Sequence, residues 1–345
     1  MNMYEPKVNV AASDHESAAL FILEQSMEYG YAASLRVAAQ LGVADHLADG
    51  PKSIEQLAQA TNTVAQRLYR VIRLLATRGV FREDESGRIE LTPAAELLRS
   101  DVPLSQRGAV LMFTDETFWR PSGELVESVR GNPAFKHIFG MPFFDYWEKQ
   151  PTSSDDFHAG MASMSDIENE FLVRSYDFPS DAVVVDIAGG LGGLLLRILR
   201  ANPTLHGILF DREHVLSRNC LDELGANNRW ELESGDFFES CPRGDIYVLK
   251  YIVHDWDDER AIRILSNCAA AMAPGGRVLV MDPVLPPGNA PHTGKYMDVA
   301  CMAIYEGGRE RREDEFRQLF AEAGLRLNRI IDTGCHVSII EAVAS

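Results

Sequence analysis

Cysteines are few in this sequence, and it has no long apolar segment. Its five cysteines are an odd number, are scattered and form no C-x-x-C pair, which argues against a disulfide framework and against a zinc site of ordinary spacing. We therefore expect reduced, structural thiols. No run approaches the roughly 18 apolar residues that span a bilayer. The first residues lack the basic and apolar regions of a signal peptide, so we expect a cytoplasmic protein without a membrane partner.

Basic residues are also scarce relative to acidic ones. The 33 Lys and Arg stand against 51 Asp and Glu, which gives a formal net charge of −18. Nucleic-acid binding draws much of its affinity from neutralised phosphates, so this balance argues against a nucleic-acid partner. A small neutral or cationic ligand fits the charge better.

Residues 1–104 have a helical, local pattern. Apolar residues recur at helical spacing from Leu20 to Leu47, and residues 53–63 and 64–80 each predict a further helix. The segment VFREDESGRIELT then predicts two short strands around a Ser-Gly turn. Helix, turn, helix and ribbon make a winged-helix-like arrangement, which often binds DNA.

Three arginines, Arg67, Arg70 and Arg73, line one side of the helix predicted at 64–80. They could contact phosphate. Because the chain is so acidic, we interpret them as a solvated helix face or an interface.

Residues 105–180 predict further helices and are rich in methionine and aromatic side chains. Such residues are usually core, but next to a catalytic domain a cluster of them could form an apolar substrate pocket. The candidate pocket residues in this part of the chain are Met112, Phe113, Trp119, Phe157, Met161 and Met164. From later in the chain we add Asp255, Met297 and Met302.

Residues 181–345 alternate between strand and helix patterns, which predicts a parallel, doubly wound α/β sheet. The predicted strands are AVVVDI, HGILFD, RWELES, DIYVLKYIVHD, GRVLVMDPV, LRLNRIID and HVSIIEAVA. The last two are separated by a tight Thr-Gly-Cys connection. They should therefore be antiparallel, because parallel neighbours need a long crossover.

Polar residues follow five consecutive strands of this predicted sheet. Ligands of such sheets bind outside the carboxyl ends of the strands, so these residues predict one binding site. In strand order they are Asp186 with Gly189, Gly190, Gly192 and Gly193; then Asp211; then Asp236; then Lys250, His254 and Asp255; then Asp282.

The loop after the first of these strands nearly matches G-x-G-x-x-G, with Ala188 at the first position, so an NAD-dependent oxidoreductase is a rival interpretation. Asp186 would repel a pyrophosphate, whereas S-adenosylmethionine (SAM) has no phosphate and is net cationic. Asp211 can accept both ribose hydroxyls of either cofactor. Asp236 can accept from the adenine amino group and Phe237 can cover the ring. The acidic edge favours SAM, and titration with SAM and with NAD would decide.

Several segments together resemble a known family. They are VVVDIAGGLGG, ILFDRE, GDFFES, YVLKYIVHDWDDERAIRIL, GGRVLVMDPVLP and GGRERREDEF, with the winged-helix-like first hundred residues. The chain resembles the SAM-dependent O-methyltransferases of the plant caffeate/flavonoid type and their bacterial relatives in aromatic antibiotic and phenazine biosynthesis. This implies a Rossmann-like SAM methyltransferase sheet, parallel with an antiparallel last strand, at 181–345. It also implies a helical connector at 105–180, and a mostly helical dimerisation domain at 1–104 that makes a homodimer and does not bind DNA.

The same resemblance implies roles for individual residues. Cofactor contacts fall on Gly189, Asp211, Asp236, Phe237 and Lys250, the general base on His254, and two flanking acids on Asp282 and Glu310. The sequence departs from the family in two places. Ala188 replaces a glycine, which should change the local backbone without abolishing binding, and Asp282 replaces a longer glutamate, which shortens its reach to the histidine.

The expected reaction is methyl transfer from SAM to a hydroxyl of a small aromatic molecule such as a phenazine, quinone or polyketide, with S-adenosylhomocysteine as the product and no metal. His254 is the expected base, and either Asp282 or Glu310 orients its ring. Asp255 is expected to cap a helix beginning near Trp256. N-methylation of an aromatic heterocycle and a winged-helix metabolite-sensing regulator are the alternatives.

Overall fold

The chain divides into two units, Met1–Thr114 and Asp115–Ser345. A computed structural model describes residues 15–225 and 228–345, and within these the side chains of 151–156 and 158 lie outside the description. Among the described residues, no helix combines the length and the apolar character needed to cross a membrane.

The first unit contains helices and a two-stranded ribbon. Its helices are α1 (His15–Ser26), α2 (Tyr29–Gln40), α3 (Val43–His46), α4 (Ile54–Ala60), α5 (Ala65–Ala76), α6 (Pro93–Glu96) and α7 (Arg107–Phe113). The ribbon pairs β1 (Arg82–Glu83) with β2 (Ile89–Glu90) in antiparallel register, as the Ser-Gly turn predicts. Helix α5 buries Leu68, Ile72 and Leu75 at helical spacing, while Arg67, Arg70 and Arg73 are exposed.

The second unit begins with five helices in its described part. They are α8 (Glu116–Gly123), α9 (Leu125–Val129), α10 (Ala134–Phe139), α11 (Phe143–Glu148) and α12 (Pro151–Arg174). Helices α7 to α12 thus lie within the segment 105–180, and the first of them, α7, belongs to the first unit.

A seven-stranded sheet forms the centre of the second unit. Its strands are β3 (Val183–Ile187), β4 (His206–Asp211), β5 (Trp230–Ser234), β6 (Gly244–Lys250), β7 (Met272–Asp282), β8 (Leu325–Ile331) and β9 (Ser338–Ala344), in the spatial order β5-β4-β3-β6-β7-β9-β8. The pairs from β5 to β7 are parallel, and β9 is antiparallel to both β7 and β8. The predicted sheet, parallel with an antiparallel last strand, is confirmed.

Helices connect and cover these strands. They are α13 (Gly193–Ala201), α14 (Glu213–Leu216), α15 (Asp258–Ala271), α16 (Gly294–Ile304) and α17 (Glu313–Glu322). The central strands are apolar on both faces apart from Asp186, and Val184–Ile187 and Ile246–Leu249 are buried throughout. One face packs against α15 and α17 through side chains such as Ile264, Leu265 and Phe316.

Strand β6 is shorter than its sequence pattern suggested. It ends at Lys250, and Val253–Asp255 form one turn of 3-10 helix. Tyr251 between them has a φ of +57°, a left-handed conformation that is strained for a bulky side chain. Its N–H donates to Met281 O (3.2 Å) and Asp282 Oδ1 (3.0 Å) on the neighbouring strand. His254 therefore lies on a turn beyond the strand.

Candidate active site

The loop after β3 packs directly on two aspartates. A Cβ added to Gly189 would lie 2.5 Å from the Asp186 carboxyl group, so a larger residue would displace it. Asp211 Oδ2 accepts from Gly190 N (2.9 Å), which ties this loop to the end of β4. A Cβ added to Gly190 would meet nothing within 4 Å, so the loop leaves room at this point.

Ala188, the departure from the family pattern, has a φ of +51°. Alanine thus adopts the left-handed conformation that glycine takes without steric cost, at an expense of roughly 1 kcal/mol. Its N–H donates to Phe210 O (2.7 Å) on β4, which holds the loop in this conformation. Alanine in place of the family's glycine therefore costs some conformational energy, but the turn is still formed.

Asp186 is buried, and its Oδ2 has no hydrogen-bond partner among the described residues. Burial, with the nearby Asp211 charge, raises the pKa of Asp186 to about 7. Burial also raises the pKa of Asp211. A buried carboxyl oxygen without a partner is costly, and a cation placed beside it would offset that cost. The two carboxyl groups at this edge, Asp186 and Asp211, therefore fit a cationic ligand such as SAM.

Asp236 and Phe237 follow β5 at the same edge of the sheet. Asp236 Oδ1 accepts from Phe238 N (2.8 Å), which forms a local turn. The Phe237 ring is half-buried and packs edge-on against Phe238 and Trp256, with centroids 4.7 and 6.1 Å away. The sheet thus brings these two predicted contacts to the edge that carries Asp186 and Asp211.

Lys250, the remaining predicted cofactor contact, has its ammonium directed at α12. Its Nζ lies 2.9 Å from Glu168 Oε2 and donates to Asn169 Oδ1 (2.9 Å). Glu168 and Asn169 are both buried. In the structure this lysine joins the end of β6 to α12 through an ion pair.

His254 lies at the centre of a buried polar cluster. Its Nδ1 is 2.7 Å from Glu310 Oε1, and its Nε2 is 3.2 Å from Asp255 Oδ1. The ring of Tyr251 stacks on the imidazole with centroids 5.1 Å apart. Because a carboxylate only accepts hydrogen bonds, the Glu310 contact places a proton on Nδ1. The side chain is only 5% exposed, so bulk water is largely excluded from it.

The two acids proposed to orient His254 have different places. Glu310, whose N–H donates to Asp298 Oδ1 (2.9 Å), holds Nδ1 directly. Asp282 uses Oδ1 to accept from Tyr251 N, while its Oδ2 has no partner among the described residues. The geometry therefore assigns the contact with the imidazole Nδ1 to Glu310.

The charges around His254 shift several pKa values. Burial alone lowers the pKa of His254, but Cys301, Glu310 and Asp255 raise it, and the net direction is well above the usual value. Burial raises the pKa values of Asp255 and Asp282 to about 7. Burial likewise raises the pKa of Cys301 to about 11, so this thiol is neutral at physiological pH.

Asp255 does not cap the following helix, contrary to our expectation. The N-cap of α15 is Asp257, whose side chain accepts from Arg260 N (2.9 Å). Asp255 lies inside the 3-10 turn, buried, with a hydrogen bond to the Tyr305 side chain. The helix begins two residues later than the sequence suggested, because the turn that carries His254 comes first.

Arg311, a buried residue that lies beyond α16 in the chain, holds the turn that carries His254. This guanidinium donates to Val253 O (Nη1) and Trp256 O (Nη2), each at 2.9 Å, and to Asp258 Oδ1. Arg309 N also donates to His254 O (2.8 Å). One side chain thus satisfies the carbonyls on both sides of the histidine.

An aromatic cluster fills the space among α8, α10, α11 and α16. It is centred on Phe135, Phe143 and Trp147, with Phe118, Phe157 and Tyr305 packed against it. Tyr305 connects this cluster to the polar one, with its ring centroid 6.4 Å from that of His254.

The other predicted pocket residues have varied places. Trp119 is 60% exposed and lies outside the aromatic cluster, whereas its neighbour Phe118 belongs to it. Met161 and Met164 lie on α12, and Met297 and Met302 on α16. Met112 and Phe113 lie on α7, in the first unit.

Several residues of the buried polar cluster around His254 were not predicted from the sequence. Cys301 Sγ lies 3.8 Å from His254 Nδ1, and Tyr305 follows it by one helical turn. Met297 and Cys301 lie one turn apart on α16, and Tyr305, the first residue after the helix, follows at the same four-residue spacing. This spacing, starting from the methionine already selected, is the signal that could have identified the other two. Tyr251 and Arg311 gave no comparable signal.

The order and orientation of the sheet are those of a SAM-dependent methyltransferase. An O-methyltransferase domain model matches residues 119–326, and an O-methyltransferase dimerisation domain model matches residues 25–101. The chain therefore belongs to the SAM-dependent O-methyltransferase family, and its cofactor is SAM.

Three relatives illustrate this similarity. The chain is 41% identical to a phenazine O-methyltransferase of Lysobacter antibioticus, over 93% of this chain and 95% of the relative. The crystal structure of CalO1, a methyltransferase of calicheamicin biosynthesis with bound S-adenosylhomocysteine, matches with a TM-score of 0.90 and 44% identity, covering 96% of this chain and 99% of that one. A phenazine-1-carboxylate N-methyltransferase of Pseudomonas aeruginosa is 34% identical over 89% and 91% of the two chains.

Proposed function

We propose that this enzyme transfers the methyl group of SAM to a hydroxyl of a small aromatic natural product, of phenazine, quinone or polyketide type, with His254 as the general base. The observation that carries the proposal is the buried His254–Glu310 contact of 2.7 Å beside an aromatic cluster. The names of the relatives, which act in phenazine and calicheamicin chemistry, support an aromatic acceptor.

The proposed mechanism requires a proton acceptor because a phenol, with a pKa near 10, is a poor nucleophile at neutral pH. SAM supplies an electrophilic methyl group on a sulfonium. Glu310 accepts from Nδ1–H, so the lone pair of the neutral ring is on Nε2, which takes the hydroxyl proton. Asp255, 3.2 Å from Nε2, stabilises the imidazolium that results. Holding SAM and the hydroxyl compound in one site would supply much of the rate, because this displacement depends mainly on the geometry of approach.

Residues at the edge of the sheet would hold the cofactor. Asp211 would accept from the ribose hydroxyls, Asp236 would accept from the adenine amino group, and Phe237 would cover the adenine ring. Asp186 provides negative charge toward the cationic part of SAM. Gly189 and Gly190 allow the close approach that a side chain would prevent.

The test of this function uses the full-length enzyme, SAM and a panel of paired acceptors. Each pair is an aromatic hydroxyl compound (a hydroxyphenazine, a hydroxynaphthoate, a hydroxyquinone) and its amino analogue, and the readout is the mass gain of one methyl group. We expect methylation of at least one hydroxyl compound. If no hydroxyl compound in the panel gains a methyl group, the proposal is wrong.

N-methylation is the second candidate, since one relative carries that activity in its name. An aromatic amine of low pKa needs less help from a base than a phenol does. Methylation confined to the amino analogues would establish this alternative, and it would also remove the need for His254 as a base.

Asp211→Ala should weaken SAM binding. The change removes two charge-assisted acceptor contacts, a loss of roughly 1.5–3 kcal/mol, or about 10- to 150-fold in Kd. It also frees the Gly190 loop, which Asp211 holds at 2.9 Å. Calorimetric titration measures the effect, with Asp222→Ala, an exposed aspartate nearby, as the matched control. An unchanged Kd for Asp211→Ala would place the ribose elsewhere.

SAM affinity should increase as the pH rises through about 7, the pKa to which burial raises Asp186. A cation binds the ionised carboxylate more tightly than the protonated one, so binding releases a proton below that pKa. Calorimetry over this pH range in buffers of different ionisation enthalpy measures both effects. Asp186→Asn should lose most of the pH dependence, while Asp282→Asn should keep it. If the SAM affinity of Asp186→Asn still depended on pH in this range, the effect would belong to another group.

The first helices should bury against a second chain in a two-fold homodimer. The dimerisation-domain match supports this, and so do Leu20 and Leu23 on α1, which are 61% and 55% exposed in the single chain. Light scattering at micromolar concentration should give twice the chain mass of 38.4 kDa. Leu20→Asp with Leu23→Asp should shift the mass toward one chain, and Leu232→Ser on the edge strand β5 should not. A wild-type monomer would contradict the prediction.

A further inference from the structure

Two cysteine sulfur atoms lie in contact next to the connection between β5 and β6, residues 235–243. Cys241 Sγ on this connection is 3.7 Å from Cys268 Sγ on α15, although 27 residues separate them in sequence. The three remaining cysteines have other surroundings: Cys301 lies beside His254, Cys335 beside Thr333, and Cys220 bonds through its N–H to Leu191 O.

We propose that Cys241 and Cys268 form a reversible intramolecular disulfide when the protein encounters a peroxide. The two sulfur atoms must approach from 3.7 Å to about 2.0 Å for the bond to form. The movement would come from the Cys241 side, because Cys241 is half-buried on the connection between two strands, while Cys268 is completely buried in the core with Ile264 and Leu265.

The exposure of the two thiols sets the order of the steps. Cys268 is completely buried, and its contact with Cys241, together with burial, raises its thiol pKa well above the usual value. Its thiol is therefore protected from direct oxidation. Cys241 is the sulfur that a peroxide can reach from solvent.

The chemistry balances with hydrogen peroxide as the oxidant. The Cys241 thiolate attacks one peroxide oxygen, the O–O bond breaks, and a sulfenic acid forms with release of one water. The Cys268 sulfur then attacks the sulfenic sulfur, its proton leaves with the hydroxyl group as a second water, and the S–S bond forms. Two thiols are oxidised and one peroxide is reduced to two waters. A dithiol such as dithiothreitol reverses the reaction by exchange.

The disulfide would fix the segment that carries Asp236 and Phe237. That segment is already attached to α15 by two hydrogen bonds, from Asn267 Nδ2 to Phe237 O and from Arg263 Nε to Phe238 O, both 2.8 Å. A covalent link at Cys241 would add a third attachment that local opening cannot break. We expect slower amide hydrogen exchange across 235–243 in the oxidised protein.

The test treats reduced full-length protein with hydrogen peroxide, alkylates the remaining thiols after denaturation, and measures the intact mass and the peptide map. Of the five cysteines, three should be alkylated, and one peptide pair should join Cys241 to Cys268. Dithiothreitol should restore all five. Cys241→Ser and Cys268→Ser should each prevent the link, and Cys335→Ser, the matched control, should retain it.

The thermal midpoint provides an independent readout. A disulfide between the two cysteines should raise Tm by roughly 3–10 °C, because it restricts the unfolded chain between them. Peroxide treatment of Cys241→Ser should not raise Tm. Five alkylated cysteines after peroxide treatment, a different pairing, or sulfinic acid at Cys241 without a link would each overturn the proposal. None of these readouts depends on methyl transfer, so the result is separate from that of the acceptor assay.

Discussion

Replacing His254 by Gln should lower the rate of methyl transfer by about 10²–10⁴-fold and leave SAM affinity nearly unchanged. Glutamine keeps a polar side chain of similar reach but cannot take the hydroxyl proton. His254 lies on the turn after β6 and contacts Glu310 and Asp255, whereas Asp186 and Asp211 lie at the ends of β3 and β4. Single-turnover rates with a weakly acidic phenol, alongside calorimetric SAM titration, measure the two effects separately.

The pH profile identifies the role more specifically. The base acts when neutral, and its pKa is raised well above the usual histidine value, so wild-type kcat/KM should increase with pH through that raised pKa. Glu310→Gln removes a charge that raises this pKa, so its acid limb should move to lower pH while its maximum rate falls. The loss in His254→Gln should shrink for acceptors with more acidic hydroxyls. Near-normal turnover of a weakly acidic phenol by His254→Gln would show that His254 is not the base. If His254→Gln lost SAM binding together with activity, His254 would have a structural role.

Replacing Arg311 by Met should destabilise the protein and slow the reaction together. The change removes the guanidinium donor from the carbonyls of Val253 and Trp256, each bonded at 2.9 Å in the wild type, and leaves Val253 O with only the longer 3.4 Å bond from Trp256 N. Two such groups cost roughly 2–5 kcal/mol of unfolding free energy. Because these carbonyls flank His254, misplacement of its ring should also lower kcat by about 10- to 100-fold.

Denaturant unfolding measures the first effect, and kcat against KM the second. Arg312→Met is the matched control, since this neighbouring guanidinium is exposed and pairs with Asp314 at the surface. It should change stability by less than about 1 kcal/mol and leave kcat unchanged. If Arg311→Met matches Arg312→Met in both measurements, the turn does not depend on the buried guanidinium.

Much of the second unit could be predicted because its signals are local. A buried parallel strand begins as a continuous apolar run, as in Val183–Val185, and the polar residue that follows the run, here Asp186, lies near the carboxyl end of the strand. The antiparallel last strand followed from the short connection between β8 and β9. These properties depend on neighbouring residues alone.

The positions of side chains around His254 were harder to predict. Sequence spacing left Asp282 and Glu310 as equal candidates for the contact with the imidazole. Glu310 lies 56 residues beyond His254, and its Oε1 reaches Nδ1 only after α16 and the following loop have packed. Asp257, rather than Asp255, caps α15, because the strained residue Tyr251 and the 3-10 turn delay the helix start.

The sequence by itself determined the order of strands and helices, the edge at which the polar residues meet and the cationic character of the ligand, since these follow from hydrophobic period, turn residues and charge. Only the tertiary structure decided which groups touch. Lys250 pairs with Glu168 on α12, Arg311 holds the His254 turn, and Cys241 meets Cys268 across 27 residues. Contacts between residues far apart in sequence depend on packing distances and rotamers, which no local pattern encodes.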